Sequence, residues 1–485
     1  MLRRTVCRAF PAVLVLWLVA SAQAAQVKDT ITLSFPEWYN GQRAFFEEVA
    51  RVYESLVPGV EIEIVSGANT PWNSKKQMMI TAGHAPDISP GGASMFANEV
   101  YSEIMVPIPD QYLTQDERAA YGAAVMEQIT VPGVGIVALP YALGIAGPIV
   151  VNKDLLARAG YDTGEIKETG WTWEEFRDAM SKVAKDLDGD GELDIYGLAT
   201  NLTEAVQMSC TRNLAALGVD TRFLIDPETG ELNVTEEQLR DAIQFTYDMI
   251  YVDRSWPRGA LDLSTDQKRE LLYEGRAATV LDGTAQLHFA RNHNAEVLAG
   301  RKHSLTGKPS NFAYVPYPHR KGSESLATTV TANTWTVMRQ LDYTAGIPQQ
   351  EHIKNVLDFA DYLTRPLNTL FSLSWGYPPA DRRLWAGSYC WVMNLVKIDD
   401  PELAYLYGPA LEGAVAGTVY NPQNPKFQKL WQEALREEVY PAYEAALLNV
   451  ASPAEAAHQV YTAYQKVIEK AKKRGISVYL TAQGG

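Results

Sequence analysis

The chain has 485 residues, 43 Lys and Arg against 58 Asp and Glu, and a formal net charge of −15 at pH 7. That balance disfavours nucleic acid and anionic membrane surfaces as partners, because both demand clustered positive charge. A chain of this length exceeds what one hydrophobic core usually supports, so two lobes are expected.

The first two dozen residues read as an export signal. Arg3, Arg4 and Arg8 form a positive start, Ala12–Ala20 is a short apolar core, and Ala22-Gln23-Ala24 offers the small residues that a signal peptidase needs. Residues 1–25 are therefore expected to be removed, which takes the net charge from −15 to −18 through loss of the three arginines. Cys7 precedes the apolar core and is not placed to carry a lipid, so the mature chain is expected to be free in the periplasm. No later run approaches the length of a transmembrane helix. Cys210 and Cys390 remain. An oxidising compartment permits a disulfide between them, and two unpaired buried thiols fit the sequence as well.

Ile31–Phe35, "ITLSF", alternates and is rich in strand formers. From Gly41 the period changes, with Phe45, Phe46, Val49, Val52, Tyr53 and Leu56 on one helical face. Pro58 and Gly59 stop that helix, and Val60–Val65, "VEIEIV", is a second alternating strand. A helix over Lys75–Ala82 leads to a third short strand at Pro86–Ser89. Strand–helix–strand–helix–strand implies parallel pairing and an α/β lobe. Further on, Thr172 is an N-cap with Glu175 completing a capping box. Helical patterns return at Glu237–Tyr251, His352–Leu363, Gln428–Leu447 and Pro453–Lys472, with no repeat and no flexible tether between lobes.

Several stretches then match one family in order: "FFEEVARVYESLVPGVEIEIV", "MITAGHAPDI", "LPYALGIAGPIVVNKDLLARAGYD", "GWTWEEFRDAM", "DLDGDGELDIYGL", "YEGRAATVLDG" and "GYPPADRRLW". Together they resemble the extracellular solute-binding proteins of ABC transporters, family 1, the maltose-binding-like sugar group. The resemblance implies a two-lobed α/β periplasmic-binding-protein fold of type II, with the ligand in the cleft between lobes. Carried over, lobe one is 26–139 plus 316–370 and lobe two is 147–315 plus 378–485. The hinge crossings are then 140–146, 314–316 and 371–377. It also implies a carbohydrate ligand, ABC permease subunits with a separate ATPase as partners, and a monomer that is not an enzyme.

Sugars present apolar faces and hydroxyl rims, so their sites combine flat aromatic rings with small polar groups. In parallel α/β lobes these lie beyond the carboxyl ends of strands. The expected ligand residues are Trp38, Tyr39 and Asn40 after the first strand, and Gly91 and Ser94 after the third. Tyr141 lies at the first crossing, Asp282 after the strand "AATVL", Asn333 and Trp335 in "TVTANTWTV", and Trp375 and Tyr377 at the third crossing. Gln286, His288 and Trp72 are weaker candidates, and Asp87 reads as an anchor for nearby backbone amides. Where the family often has Gly-x-Trp, this chain has Gly283-Thr284-Ala285, so a maltose-like specificity does not transfer directly. Each aromatic candidate can instead serve as core or hinge packing.

"DLDGDGELD" resembles a calcium loop, with Asp186, Asp188 and Asp190 at positions 1, 3 and 5, Glu192 following, and Asp194 at position 9. Position 12 is Gly197 instead of the bidentate Glu. Two readings stand: a solvated turn whose aspartates make local bonds, or a loop holding one structural calcium ion. No other cofactor is expected.

Gly133–Ala138, "GVGIVA", fits G-x-G-x-x-A, but β-branched residues and Pro140 follow in place of a helix, so a hairpin or strand is expected. There is no Walker loop, no G-x-S-x-G, no H-E-x-x-H and no C-x-x-C. The alternatives are a secreted carbohydrate-active enzyme, for which no carboxylate pair stands out, and a binder of a non-sugar solute such as a polyol.

Overall fold

The structure is a computed structural model that describes residues 28–37, 41–67, 69–91, 104–131, 134–226, 229–282, 286–322, 329–344, 346–365, 377–384, 402, 405, 415–416 and 425–478. The chain divides into two compact units. One is drawn from Met1–Pro90, Ile104–Val106 and Thr336–Tyr362, the other from Gly91–Glu103, Pro107–Trp335 and Leu363–Gly485.

In the first unit, β1 (Asp29–Pro36) buries Ile31, Leu33 and Phe35 completely. Helix α1 (Gln42–Leu56) lays Phe46, Val49, Ala50 and Tyr53 onto the sheet, and Phe46 meets Phe35 at 4.7 Å between ring centroids. The chain enters α1 through Gly41 at φ 81, a conformation that disfavours any side chain. Strand β2 (Val60–Gly67) pairs parallel with β1 from Asp29↔Val60 to Pro36↔Gly67. Helix α2 (Asn69–Thr81) starts six residues before the expected Lys75, with Pro71 in its first turn, where the missing N–H has no intrahelical partner to lose. Strand β3 (Ile88–Gly91) pairs parallel with β1 at Leu33↔Ile88. The expected parallel β-α-β-α-β lobe therefore forms. Asp87 anchors it as expected, its carboxylate accepting the Thr32 backbone N–H at 2.8 Å.

The second unit begins with helices and a hairpin of Thr130–Val131 with Gly135–Ile136, so Val134–Ala138 of the "GVGIVA" stretch is turn and strand rather than helix. The first expected crossing, 140–146, is part of a nine-residue strand, β4 (Ala138–Ala146). Strand β5 (Ile149–Asn152) follows. Helix α3 (Trp173–Val183) opens on the predicted capping box, Thr172 N–H donating to Glu175 at 2.7 Å and Glu175 N–H to Thr172 Oγ1 at 3.3 Å. Next come β6 (Tyr196–Leu198) and α4 (Leu202–Gln207), which runs on through a π-helical turn at Met208–Arg212. Helices α5 (Glu236–Tyr251) and α6 (Thr265–Tyr273) precede β7 (Ala277–Thr279) and β8 (Phe312–Val315). The sheet order is β8-β5-β7-β6, with β5 antiparallel to both neighbours and β7 parallel to β6.

Strand β9 (Thr329–Val337) supplies Thr336 and Val337 to the first unit, as does most of α7 (Gln349–Thr364). The pattern expected at Gln428–Leu447 is two helices, Pro425–Ala434 and Tyr440–Leu447, separated by a second π-helical turn at Leu435–Val439. The last helix, α8 (Pro453–Lys473), packs against α5. Cys210, in the first π turn, is a free thiol that burial pushes up to about 12, and Cys390 lies outside the described residues. Among the described residues no helix is long and apolar enough to cross a membrane.

Candidate functional site

Strand β4 organises the aromatic candidates. On one edge it pairs with β9, whose position is set by Gln128: its amide donates to the Val330 carbonyl at 2.9 Å and accepts the Ala332 N–H at 3.0 Å. Along the other edge lies the segment 377–380. There Leu143 N–H donates to the Pro378 carbonyl at 2.8 Å, Ala380 N–H donates to the Tyr141 carbonyl at 3.3 Å, and Ala142 bridges Pro379. Residues nearly 240 apart in sequence thereby come together within the second unit.

Tyr141 and Trp335 stack at 4.9 Å between centroids and 22° between planes, and are 3% and 2% exposed. Burial pushes the Tyr141 phenol well above its ordinary value, and the neighbouring Tyr377 adds to that. Their faces are used on each other, so the pair forms a buried floor. Tyr377 and Asn333 are half-buried and can present a face to a solute. Asn333 shares the Trp335 side of β9, because side chains two apart on a strand share a face. Gly91 is tied to the same strand by the Thr334 hydroxyl, which donates to its carbonyl at 2.7 Å. Five candidates, Gly91, Tyr141, Asn333, Trp335 and Tyr377, are thus gathered around two neighbouring strands. Trp38, Tyr39, Asn40, Ser94 and Trp375 lie outside the described residues. Trp72 is 2% exposed and donates from its indole N–H to Ser34 Oγ at 2.9 Å, a packing role on β1.

Asp282 is part of a second constellation, at the carboxyl ends of the parallel strands β6 and β7. Arg269 grips it through Nε at 2.7 Å and Nη2 at 3.2 Å, and Lys268 Nζ lies 3.3 Å away. Lys268 is fully buried; its ammonium also donates to Glu204 Oε2 and to the Leu281 carbonyl, the latter at 2.6 Å. The Thr200 hydroxyl donates to the same Glu204 oxygen at 2.6 Å. Gln286 is buried and accepts from the Tyr273 hydroxyl, while His288 Nε2 faces Asn292 at 3.0 Å. Glu204 and Lys268 escaped the sequence reading. A lysine on an amphipathic helix ordinarily reaches solvent, and nothing in "TDQKRELLY" marks position 268 as turned inward.

In the acidic loop, carboxylate oxygens of Asp186, Asp188 and Asp194 lie within 4.8 Å of one another, and that cluster does not include Asp190 or Glu192. The loop bonds chiefly to itself. Asp186 accepts the N–H of Gly189 at 2.6 Å and of Gly191 at 2.9 Å, and these two amides, Gly191 foremost, hold its carboxyl below the ordinary range. Asp194 accepts the Leu187 N–H at 2.7 Å, Asp188 that of Asp190 at 3.2 Å, and Asp190 that of Glu192 at 2.8 Å. Calcium takes six to eight oxygens, and the missing acid at position 12 has a steric cause. A Cβ on Gly197 would lie 2.3 Å from the Met180 carbonyl oxygen of α3, so no side chain fits there. Three clustered carboxylates fit an ion only if water completes the shell.

The family model described as bacterial extracellular solute-binding protein matches residues 38–368. No curated protein matches the chain. Among solved structures, a maltose/maltodextrin-binding domain from Bdellovibrio bacteriovorus bound to maltotriose is 17% identical, covers 91% of this chain and 100% of its own, and superposes with a TM-score of 0.66. An ABC transporter solute-binding protein from Thermotoga lettingae bound with α-D-tagatose is 16% identical over 91% of this chain and 100% of its own, with a TM-score of 0.68. An ABC substrate-binding protein from Listeria monocytogenes in complex with cycloalternan is 15% identical over 93% and 100%, with a TM-score of 0.65. At these identities the likeness establishes the two-lobed α/β fold of such proteins.

Proposed function

This chain belongs to the bacterial extracellular solute-binding proteins, and from that premise we propose that it is the receptor component of an ABC importer for a carbohydrate. The observation that carries the ligand class is the convergence of Tyr377 and Asn333 on the buried Tyr141–Trp335 floor. A rigid aromatic base with one accessible ring and a side-chain amide suits a sugar's apolar face and hydroxyl rim. The strand-end group of Asp282, Glu204 and Arg269, held in place by the buried Lys268, supplies fixed acceptors and donors of the kind that read hydroxyls. The similar folds bound to maltotriose, α-D-tagatose and cycloalternan support the same class.

On this reading the ligand favours one hinge state by contacts made only in that state. That state is then recognised by a membrane permease driven by a separate ATPase. The mature protein works in the periplasm as a monomer, without catalysis. A thermal-shift screen of the full mature chain with mono- and oligosaccharides, polyols and small organic acids tests the ligand class. A sugar at 100 times its dissociation constant stabilises by about 2.7 kcal/mol, and Tyr377→Ala is expected to weaken that sugar without lowering the unliganded melting temperature by more than a few degrees. Shifts with polyols or acids alone would overturn the carbohydrate reading.

A further inference from the structure

We propose that His352, Asp29 and Asp87 form a pH-sensitive clasp that closes the first unit when the imidazole carries both protons and loosens it when one is lost. The argument is geometric. His352, on α7, is 2% exposed, and its Nδ1 lies 2.7 Å from Asp29 Oδ1 while its Nε2 lies 3.0 Å from Asp87 Oδ1. Asp29 and Asp87 are themselves 3% and 0% exposed. A carboxylate only accepts, and a neutral imidazole has one N–H and one bare lone pair. In the neutral form one of the two contacts would set a lone pair against a carboxylate oxygen. Only the imidazolium donates to both sides.

The remaining neighbours leave the positive charge to His352. Asn355 Nδ2 donates to Asp29 Oδ2 at 2.8 Å, Thr32 N–H to Asp87 Oδ2 at 2.8 Å, and Gln340 Nε2 to Asp87 Oδ1 at 3.1 Å; all three donors are neutral. The Tyr343 ring lies 4.8 Å from the imidazole, and burial together with Asp29, Asp87 and Glu351 pushes its phenol up to about 12, so it stays uncharged across the working range. Glu351, beside His352 on α7, adds negative charge. Among the described residues no lysine or arginine is paired with Asp29 or Asp87, so His352 supplies their cation. Three pieces of chain are tied: the first residue of β1, the residue before β3, and α7.

Burial, the largest single influence, pulls the imidazole toward its neutral form, but Asp87 and Asp29 together outweigh it and hold the group above the ordinary histidine value. The sign of the linkage follows. A raised folded-state value means the clasp contributes fully below about pH 6.5, the unfolded value, and is lost as pH rises through the folded value. The first unit is thereby firmest below the unfolded value and loosens as pH rises through the folded one.

Histidine-selective 15N NMR on the full mature chain reads the proton count directly. Below pH 6.5 both His352 nitrogens are expected to be protonated, with a titration midpoint above 6.5 that moves down in Asp29→Asn. Thermal melts between pH 6 and 9 are expected to fall more steeply for wild type than for His352→Gln. A neutral tautomer at pH 6.5, or a midpoint indifferent to Asp29→Asn, would overturn the clasp even if His352→Gln fails to fold. Parallel slopes for wild type and a folded His352→Gln would do the same.

Discussion

Lys268 shows how one buried side chain can set the character of a site. It is fully enclosed, and its ammonium is shared between Glu204, Asp282 and the Leu281 carbonyl. Taking a charge out of water is costly, and the contacts offset that cost only while every member is present. Lys268→Met keeps the stem volume and removes the charge, leaving Asp282 with Arg269 and taking from Glu204 the cation it pairs with. It is expected to destabilise the second unit by about 3–5 kcal/mol, read as a lower urea midpoint of that unit's transition. Restoring part of that loss with Glu204→Gln in the same chain would identify the stranded carboxylate as the cause. No loss on Lys268→Met would mean that the buried ion pairs contribute nothing net to stability.

At the scale of the element, the acidic loop and the strand after it are shaped by one packing constraint. β6 runs so close to α3 that Gly197 has no room for a Cβ, and the acid of a complete calcium loop cannot stand there. Binding is therefore expected to be weak and dependent on Asp186, Asp188 and Asp194. Calcium at ten times its dissociation constant is expected to raise the wild-type melting temperature by about 3 °C and to leave Asp188→Ala unmoved. An equal rise in both would exclude the loop. The elements themselves were widely legible in the residues. β1, α1 and β2 announce themselves by alternation and by a helical stripe, and the Thr172–Glu175 box marks the first turn of α3. Illegible were the features that tertiary contacts impose. Nothing in Pro140–Ala146, which carries proline and glycine without alternation, marks it as strand, yet β9 and the 377–380 segment pair with it. The same partnership turns Tyr141 and Trp335 from apparent sugar platforms into a buried stack. Nor do the π-helical turns at Met208–Arg212 and Leu435–Val439 have a local signature. Leu435–Val439 lies within Gln428–Leu447, whose periodicity reads as uninterrupted helix.

For the whole molecule, a chain that divides into two compact units is expected to unfold by heat in more than one step. Differential scanning calorimetry is expected to resolve two overlapping transitions, with a calorimetric enthalpy larger than the van't Hoff value. His352→Gln is expected to lower only the transition of the unit that contains β1, β2 and α7. A single two-state transition, shifted as a block by His352→Gln, would show that the units melt as one.

The Asp29–His352 contact also has a consequence for biogenesis. Its partners are 323 residues apart, so the first unit cannot be sealed until the chain has grown by that many residues beyond β1. Long-range closures of this kind are slow, because the entropy of the intervening loop must be overcome before the contact forms. While it waits, the nascent chain keeps its first strand without the cation that two buried carboxylates require. The unit is thus held back from premature completion by its own connectivity, an advantage for any polypeptide that must be threaded through a narrow translocation channel before it folds.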